Sequence, residues 1–194
     1  MKTKLFVAAL AATALVPAAA QAQRVPAAVV AVVDTDQISQ SCTACRAAST
    51  SLQSQETTLR QRAATLQQQI QTAGGPLQQQ VAALNGKEPD AALKAKITAF
   101  QNQQRSAQQE LEQGQQRLAS TQANVNQQIS AKLQTIVASV SASRGANVTI
   151  AKADVMFAAP SVDITSEVLA QLNQQLPAVS VTPLPQSQQQ TQGR

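Results

Sequence analysis

The feature that most constrains this chain of 194 residues is a heptad pattern from Leu93 to Val140. Mostly apolar or small residues recur there at alternating steps of four and three, which is the spacing of a coiled-coil seam. At Val125 the spacing slips to two steps of four, which relaxes a left-handed supercoil locally. No proline interrupts residues 91–144, so the pattern predicts one helix of roughly 80 Å. A helix of that length must project from a chain of this size or pair along its length.

A second apolar run with the same spacing, Leu52 to Leu77, lies upstream and offers a partner. Between the two runs, Asn85-Gly86 is a strong turn dipeptide, and Pro89 prevents a helix from continuing. The sequence therefore predicts an antiparallel helical hairpin over residues 41–144, with its tip at residues 85–90.

The first helix of this hairpin contains a second turn-like sequence, Gly74-Gly75-Pro76. A glycine pair can end a helix, and proline suits the first turn of a new one. We interpret residues 74–76 as a kink, because the first helix then better matches the second in length. The alternative is a broad tip from Gly74 to Asp90, with residues 77–84 as a short helix.

The N-terminal residues 1–22 have the composition of a signal peptide. Lys2 and Lys4 precede an apolar stretch, Leu5–Val16, that is too short to span a bilayer. Ala20-Gln21-Ala22 is a small-x-small cleavage site. We expect export and cleavage before Gln23, and an uncleaved anchor is the alternative.

Short strand-like segments flank the predicted hairpin on both sides. Val29–Asp34 is β-branched and bounded by polar residues, which predicts a buried strand. Residues 147–152 and 154–158 predict a second and a third strand. Residues 163–169 open a helix that ends at Pro177.

Together these segments predict an α+β chain that is mostly α-helical. A long hairpin arm, residues 41–144, stands on a small β body built from residues 23–40 and 145–176. Such a body has little core and open sheet edges, which favours strands shared between copies of the chain. Residues 177–194 are rich in Pro, Gln, Ser and Thr and are predicted to be disordered.

Composition and charge narrow the function. After residue 22 the only aromatic residues are Phe100 and Phe157, so a large globular core is excluded. Residues 41–144 carry ten basic and five acidic residues, a net charge of +5. A basic arm attracts acidic polymers, anionic lipid or acidic segments of unfolded proteins, although a solvated helix surface explains the same charges.

The sequence has few of the residues and motifs on which enzymes usually depend. It contains no histidine, the usual general base, and no phosphate-binding glycine-rich motif. Cys42 and Cys45 form a C-x-x-C sequence, which in an exported protein indicates a disulfide. An inter-subunit crosslink and a redox or metal role are alternatives, although no second cysteine pair completes a four-ligand metal site. The sequence predicts neither an enzyme nor a cofactor.

The order of strand, long hairpin, two strands and short helix behind a signal resembles the OmpH/Skp family of periplasmic chaperones. The matching residues are Val30–Asp34 for the first strand, Val148–Ile150 and Ala153–Phe157 for the strand pair, and Asp163–Leu169 for the closing segment. The last of these, Asp-Ile-Thr-Ser-Glu-Val-Leu, is the most specific. The resemblance covers about residues 29–176.

What the resemblance implies is a periplasmic homotrimer whose arms enclose a cavity. The family holds unfolded outer-membrane β-barrel proteins there without ATP, and it has no catalytic residues. The implied partners are these clients, with contact to anionic lipid or lipopolysaccharide and none to nucleic acid. The implied trimer body comprises Val30, Val32, Val33, Val148, Ile150, Val155, Phe157, Ile164, Val168 and Leu169. The expected client-facing residues are Lys94, Lys96, Phe100, Arg105 and Ile129.

Three features depart from the family pattern: the cysteine pair, Gln-rich arms of low charge, and the tail rich in Pro and Gln. Two other functions therefore stay open. One is a structural coiled-coil adaptor or spacer of the cell envelope. The other is a redox protein that uses Cys42 and Cys45.

Overall fold

The computed structural model describes residues 26–185. The predicted signal peptide, residues 1–22, lies outside the described residues. Within residues 26–185, four helices and two short strands follow one another, with 3-10 turns at Lys152–Asp154 and Pro160–Val162. The elements are β1 Val30–Val33, α1 Thr35–Ser41, α2 Thr43–Ala82, α3 Ala91–Ser143, β2 Val148–Ala151 and α4 Thr165–Gln175. The prediction of a mostly helical chain with a small sheet is confirmed.

The predicted first arm helix is divided near its start. Asp34 caps α1, since its Oδ1 accepts a hydrogen bond from the Gln37 N–H at 2.8 Å. The chain then leaves helical geometry at Cys42, where ψ is 126°, and α2 begins at Thr43. The Cys42 Sγ accepts from the Cys45 N–H at 3.2 Å and so occupies the capping position of α2. Helix α1 therefore belongs to the body, and the long helix starts after the break.

Helix α2 runs without a break from Thr43 to Ala82, with Pro76 inside it. The alternative of a broad tip from Gly74 is therefore wrong, and the chain remains helical through residues 74–76. Pro76 has no N–H to donate to the carbonyl of Thr72. Both residues are exposed, so water can satisfy that carbonyl and the helix tolerates the proline.

The connection between the two long helices is a tight turn. The Lys87 N–H donates to the Leu84 carbonyl at 2.9 Å. Between them Asn85 and Gly86 have φ of 46° and 85°, the pattern of a type I′ turn. Helix α3 is then capped by Asp90, whose Oδ1 accepts from the Leu93 N–H at 2.7 Å.

The body contains a two-stranded parallel sheet in which Val32 pairs with Ile150. Val32 has a second bridge to Asp163, and its carbonyl accepts from the Ile164 N–H at 2.9 Å. The predicted third strand at residues 154–158 is wrong. The segment that runs beside β1 is the start of the Asp163–Leu169 sequence, and residues 155–159 find no partner strand among the described residues.

The core lies where the body meets the base of the long helices. Side chains from β1, α1 and α4, from the start of α2 and from the end of α3 meet there. They remove apolar surface from water, which stabilises the chain by roughly 25 cal/mol for each Å² buried. The buried cluster comprises Ala31, Val33, Ile38, Cys42, Ala44, Cys45, Ile136, Val140, Ile164, Val168 and Leu172.

The predicted disordered tail is wrong for residues 177–185. This segment has no regular secondary structure, but it packs against the long helices, and Leu184 is only 5% exposed. Polar side chains of α2 and α3 bond to its backbone, a contact that tail composition does not reveal. Residues 186–194 lie outside the described residues.

Candidate functional site

The long helices α2 and α3 pack against each other, and residues further along α2 contact residues earlier in α3. Leu59 of α2 meets Gly114 of α3, while Gly74, further along α2, meets Phe100, which comes earlier in α3. Few side chains in the middle of this pair are buried: Leu66 and Ala107 are the main ones. The pair is therefore joined by a single apolar seam, and most of its surface faces outward.

One ion pair links the helices across the seam. The Arg62 guanidinium donates to both carboxylate oxygens of Glu110, at 2.6 and 3.0 Å. This hydrogen bonding raises the pKa of Arg62 and lowers the pKa of Glu110. Both side chains are about half exposed, so solvent screens the pair and its net contribution to stability is small.

The five residues expected to face clients lie in different settings. Lys94 pairs with Glu88, and Lys96 donates to Gln80 Oε1 at 3.3 Å. Arg105 is exposed. Phe100 lies between the helices over Gly74, and Ile129 packs against the body core, so both are partly buried rather than projecting. Each keeps part of its apolar surface exposed, and contact with clients there stays a prediction.

An apolar cleft near the hairpin tip was not predicted. It has a volume of about 660 Å³, and Phe100 forms part of its wall together with Leu77, Val81 and Ile97. Val81 is 42% exposed. The Phe100 ring packs closely over Gly74, where a Cβ would stand 3.0 Å from the ring's Cζ. Leu77, Ile97 and Phe100 follow the heptad spacing, and that spacing gives no sign of an open cleft between the helices.

Basic side chains on the hairpin outnumber their acidic partners. Glu56, Glu88 and Glu110 each form a salt bridge with a lysine or arginine of the hairpin. Within residues 26–185, the remaining bases of the hairpin have no carboxylate within 4 Å, Arg144 at its base excepted. The unpaired positive charges are Arg46, Lys87, Lys96, Arg105, Arg117 and Lys132.

The residues expected to build a trimer body fall into two groups. Val32, Val33, Ile164 and Val168 are buried within this one chain. Others lie at its surface: Phe157 is 85% exposed, Met156 beside it is fully exposed, and the paired Val30 and Val148 are exposed at one end of the sheet. The remaining expected residues, Ile150, Val155 and Leu169, are partly buried.

A charged cluster ties the closing segment to the sheet. Lys152 Nζ lies 3.0 Å from Asp163 Oδ2 and 3.8 Å from Asp34 Oδ2. Hydrogen bonds from the Thr165 hydroxyl and N–H, followed by the Lys152 charge, lower the pKa of Asp163. The bond to Asp163 is in turn the largest cause of the raised pKa of Lys152. This explains why an Asp-Ile-Thr sequence closes the fold, since Thr165 Oγ1 also accepts from the Asp34 N–H at 2.8 Å.

The two cysteine sulfurs are bonded to each other across the first turn of α2. Cys42 is fully buried and Cys45 nearly so, and both lie in the body core. Among residues 26–185 no group of three or more His, Cys, Asp or Glu side chains is placed to hold a metal ion. In the same part of the chain, every helix is too short or too polar to cross a membrane.

A long two-helix hairpin on a small mixed body, with uncovered apolar and basic surface, defines a binding or scaffolding protein. The family described as outer membrane protein (OmpH-like) matches residues 29–172, which is most of the chain, and this protein belongs to that family. The family predicted from the strand and closing-segment residues is thus confirmed. No curated protein matches the chain.

The fold is also similar to a solved structure, that of "a putative outer membrane chaperone (OmpH-like)" from Caulobacter crescentus CB15. The TM-score is 0.65 at 19% sequence identity, and the match covers 87% of this chain and 98% of that one. At this identity the likeness supports the fold. The shared fold includes the hairpin and the body rather than the body alone.

Proposed function

We propose that this protein is a periplasmic, ATP-independent holdase that binds unfolded outer-membrane β-barrel proteins between the helical hairpins of a homotrimer. The observation that carries the proposal is the hairpin itself. Helix α3 is 53 residues long, roughly 80 Å, yet it buries only one narrow seam. So long a surface with so little core is suited to contact other chains rather than to stabilise its own.

The apolar side chains left exposed on the body support the trimer. Burying a side chain such as Phe157 is worth roughly 1.5–3 kcal/mol, and a single chain forgoes that gain. Met156 and Phe157 are exposed, and so are Val30 and Val148, the first pair of the two-stranded sheet within residues 26–185. Packing these residues against a second and a third copy would cover them and would place the three hairpins side by side.

Two properties of the hairpin support holding rather than rigid docking. The apolar cleft near the tip offers many weak contacts, and single contacts between carbon atoms are worth only about 0.1–0.2 kcal/mol. The unpaired bases attract acidic segments from a distance without fixing a geometry. A client held by many weak contacts can be released without nucleotide hydrolysis.

The test is dilution of a urea-unfolded outer-membrane β-barrel protein with and without the mature protein, in the absence of nucleotide, followed by light scattering. We expect suppression of aggregation for several different barrel clients. A parallel capture experiment offers the same clients already folded in detergent micelles, and these should not bind. Unchanged aggregation, together with capture of one folded partner, would instead support the structural adaptor.

A further inference from the structure

Residues 177–185 lie on the hairpin as an extended peptide held through its backbone. Gln128 forms a pair of bonds with one residue: its Nε2 donates to the Ser180 carbonyl at 3.0 Å, and its Oε1 accepts from the Ser180 N–H at 2.9 Å. Asn124 Nδ2 donates to the Thr182 carbonyl at 3.0 Å, and Gln55 Nε2 of the facing helix donates to the Val181 carbonyl at 3.1 Å.

The contact includes a buried anchor residue. The Leu184 N–H donates to Ser120 Oγ at 3.0 Å, and the Leu184 side chain is 5% exposed. Leu184 stands between Pro183 and Pro185, whose fixed φ and missing N–H groups keep the segment extended. We call the surface formed by Gln55, Ser120, Asn124 and Gln128 the tail groove.

The tail groove has a repeat that fits extended chain. Its residues on α3 are spaced by four, at positions 128, 124 and 120, and they meet peptide residues spaced by two, at 180, 182 and 184. Four residues of helix rise about 6.0 Å, and two residues of extended chain rise about 6.4–6.8 Å. Gln116 continues the α3 series by one more step of four.

The groups recognised in the tail are present in every polypeptide. The five hydrogen bonds described above join side chains of the groove to backbone N–H and C=O groups of the tail. The Leu184 side chain adds an apolar contact. A surface of this kind selects for extended conformation and one apolar anchor, and it is indifferent to most of the sequence. An unfolded protein offers such segments in abundance, whereas a folded one has paired its backbone groups.

We propose that the tail groove is a binding site for extended segments of unfolded polypeptide, and that residues 177–185 occupy it in the free protein as a displaceable stand-in. This rests on the proposed holdase function and names the part of the client that is bound there. A segment tethered to the same chain acts at an effective concentration in the millimolar range. The tail segment therefore covers the tail groove when no client is present, and a client that binds more tightly displaces it.

The first experiment uses a fluorescent peptide with the sequence of residues 177–185 and the full mature chain. Leu184→Asp removes the anchor and dislodges the chain's own tail, so the peptide should bind this variant at least tenfold more tightly than it binds the wild type. In the Leu184→Asp background, Gln128→Ala removes two backbone bonds and should weaken peptide binding about tenfold. The matched control, Gln127→Ala, changes an exposed neighbour on the same helix and should leave binding unchanged.

The second experiment leaves the protein unaltered. Hydrogen exchange at the Ser180 and Leu184 amides should be slow in the free protein, because both are bonded to the groove. Addition of an unfolded barrel protein should accelerate exchange at these two amides. The Val168 amide in α4, bonded to the Ile164 carbonyl, serves as the internal reference and should not change.

Equal peptide binding by wild type and Leu184→Asp, no effect of Gln128→Ala, or tail amides that stay protected with client bound would each overturn the inference. These failures are separable from failure of the holdase function. A protein that suppresses aggregation while its tail amides stay protected is a holdase without this site. A protein whose Leu184→Asp variant binds the peptide, but which never suppresses aggregation, has the site without the function.

Discussion

Leu59 of α2 lies so close to Gly114 of α3 that a Cβ on Gly114 would stand 2.5 Å from Leu59 Cδ1. Gly114 is at a seam position in the middle of a helix, where alanine would ordinarily be preferred by about 1 kcal/mol. The absence of a side chain there lets the two helices approach with Leu59 filling the gap. Gly75, also inside a helix, has open space where its Cβ would be, apart from its neighbours along the chain.

We expect Gly75→Ala to change the stability of the hairpin by less than about 1 kcal/mol, because the gain in helix propensity is opposed by contact between the new Cβ and the ring of Pro76. Gly114→Ala should be about 1–3 kcal/mol less stable than Gly75→Ala, because overpacking offsets the same gain. The measurement is thermal unfolding followed by helical circular dichroism at one protein concentration. In a Leu59→Ala background the penalty should vanish, and equal effects of both glycine substitutions on stability would contradict the contact.

Replacement of Phe157 tests assembly separately from folding. Phe157 is exposed in the single chain, so Phe157→Asp leaves the core of the chain intact but places a charge in the proposed trimer interface. We expect sedimentation equilibrium to give a trimer for the wild type and a monomer for Phe157→Asp, with unchanged helical content. Val81→Asp, a matched change on the exposed hairpin tip, should remain trimeric. A folded monomeric wild type would rule out the assembly.

The acid limit of stability should depend on Asp163. Its pKa is lowered in the folded state, so its contribution is complete above the unfolded value of about 3.9 and is lost as pH falls through the lowered value. Asp163→Asn keeps an oxygen for the Thr165 N–H but loses the charge beside Lys152. We expect a loss of about 1 kcal/mol at pH 7 that shrinks as the pH falls below 4. A constant difference across this range, measured by urea unfolding, would exclude the titration.

Reduction of the Cys42–Cys45 bond should weaken the body without removing function. The bond spans only three positions, and constraining so short a loop is worth about 2 kcal/mol. Cys42→Ser/Cys45→Ser should therefore melt several degrees lower, while serine at position 42 can still cap α2. Aggregation suppression should be retained below the melting temperature. Complete loss of suppression by an intact oligomer would favour a redox role for the pair.

Local sequence signals predicted the helical parts of the chain because they report on neighbours a few residues away. The heptads placed two long helices, and Asn85-Gly86 placed the turn between them through its tolerance of positive φ. The β-branched runs at Val30–Val33 and Val148–Ala151 were sufficient for two strands. In the structure, Asp34 and Asp90 cap the helices that follow them.

The error at the predicted third strand concerns contacts between distant residues. Residues 154–158 have strand-like composition, but a strand needs a partner edge, and Asp163 and Ile164 run beside β1 instead. Pro76 and its glycines have turn-like composition, but the surrounding helix continues because its one freed carbonyl faces water. Phe100 and Ile129 were expected to face clients, but α2 and the body core decide how much of each side chain is covered.

The sequence by itself determined the helices, the turn, two strands and the family, since each follows from spacing or from a short motif. Only the tertiary structure decided that residues 177–185 lie along the hairpin. Their composition has too few apolar side chains to predict that the segment folds on its own. The partners that hold them, Gln55, Asn124 and Gln128, are 52 to 126 residues away in sequence. Side-chain amides bond to any backbone, and only the fold places these particular amides at the spacing of an extended peptide.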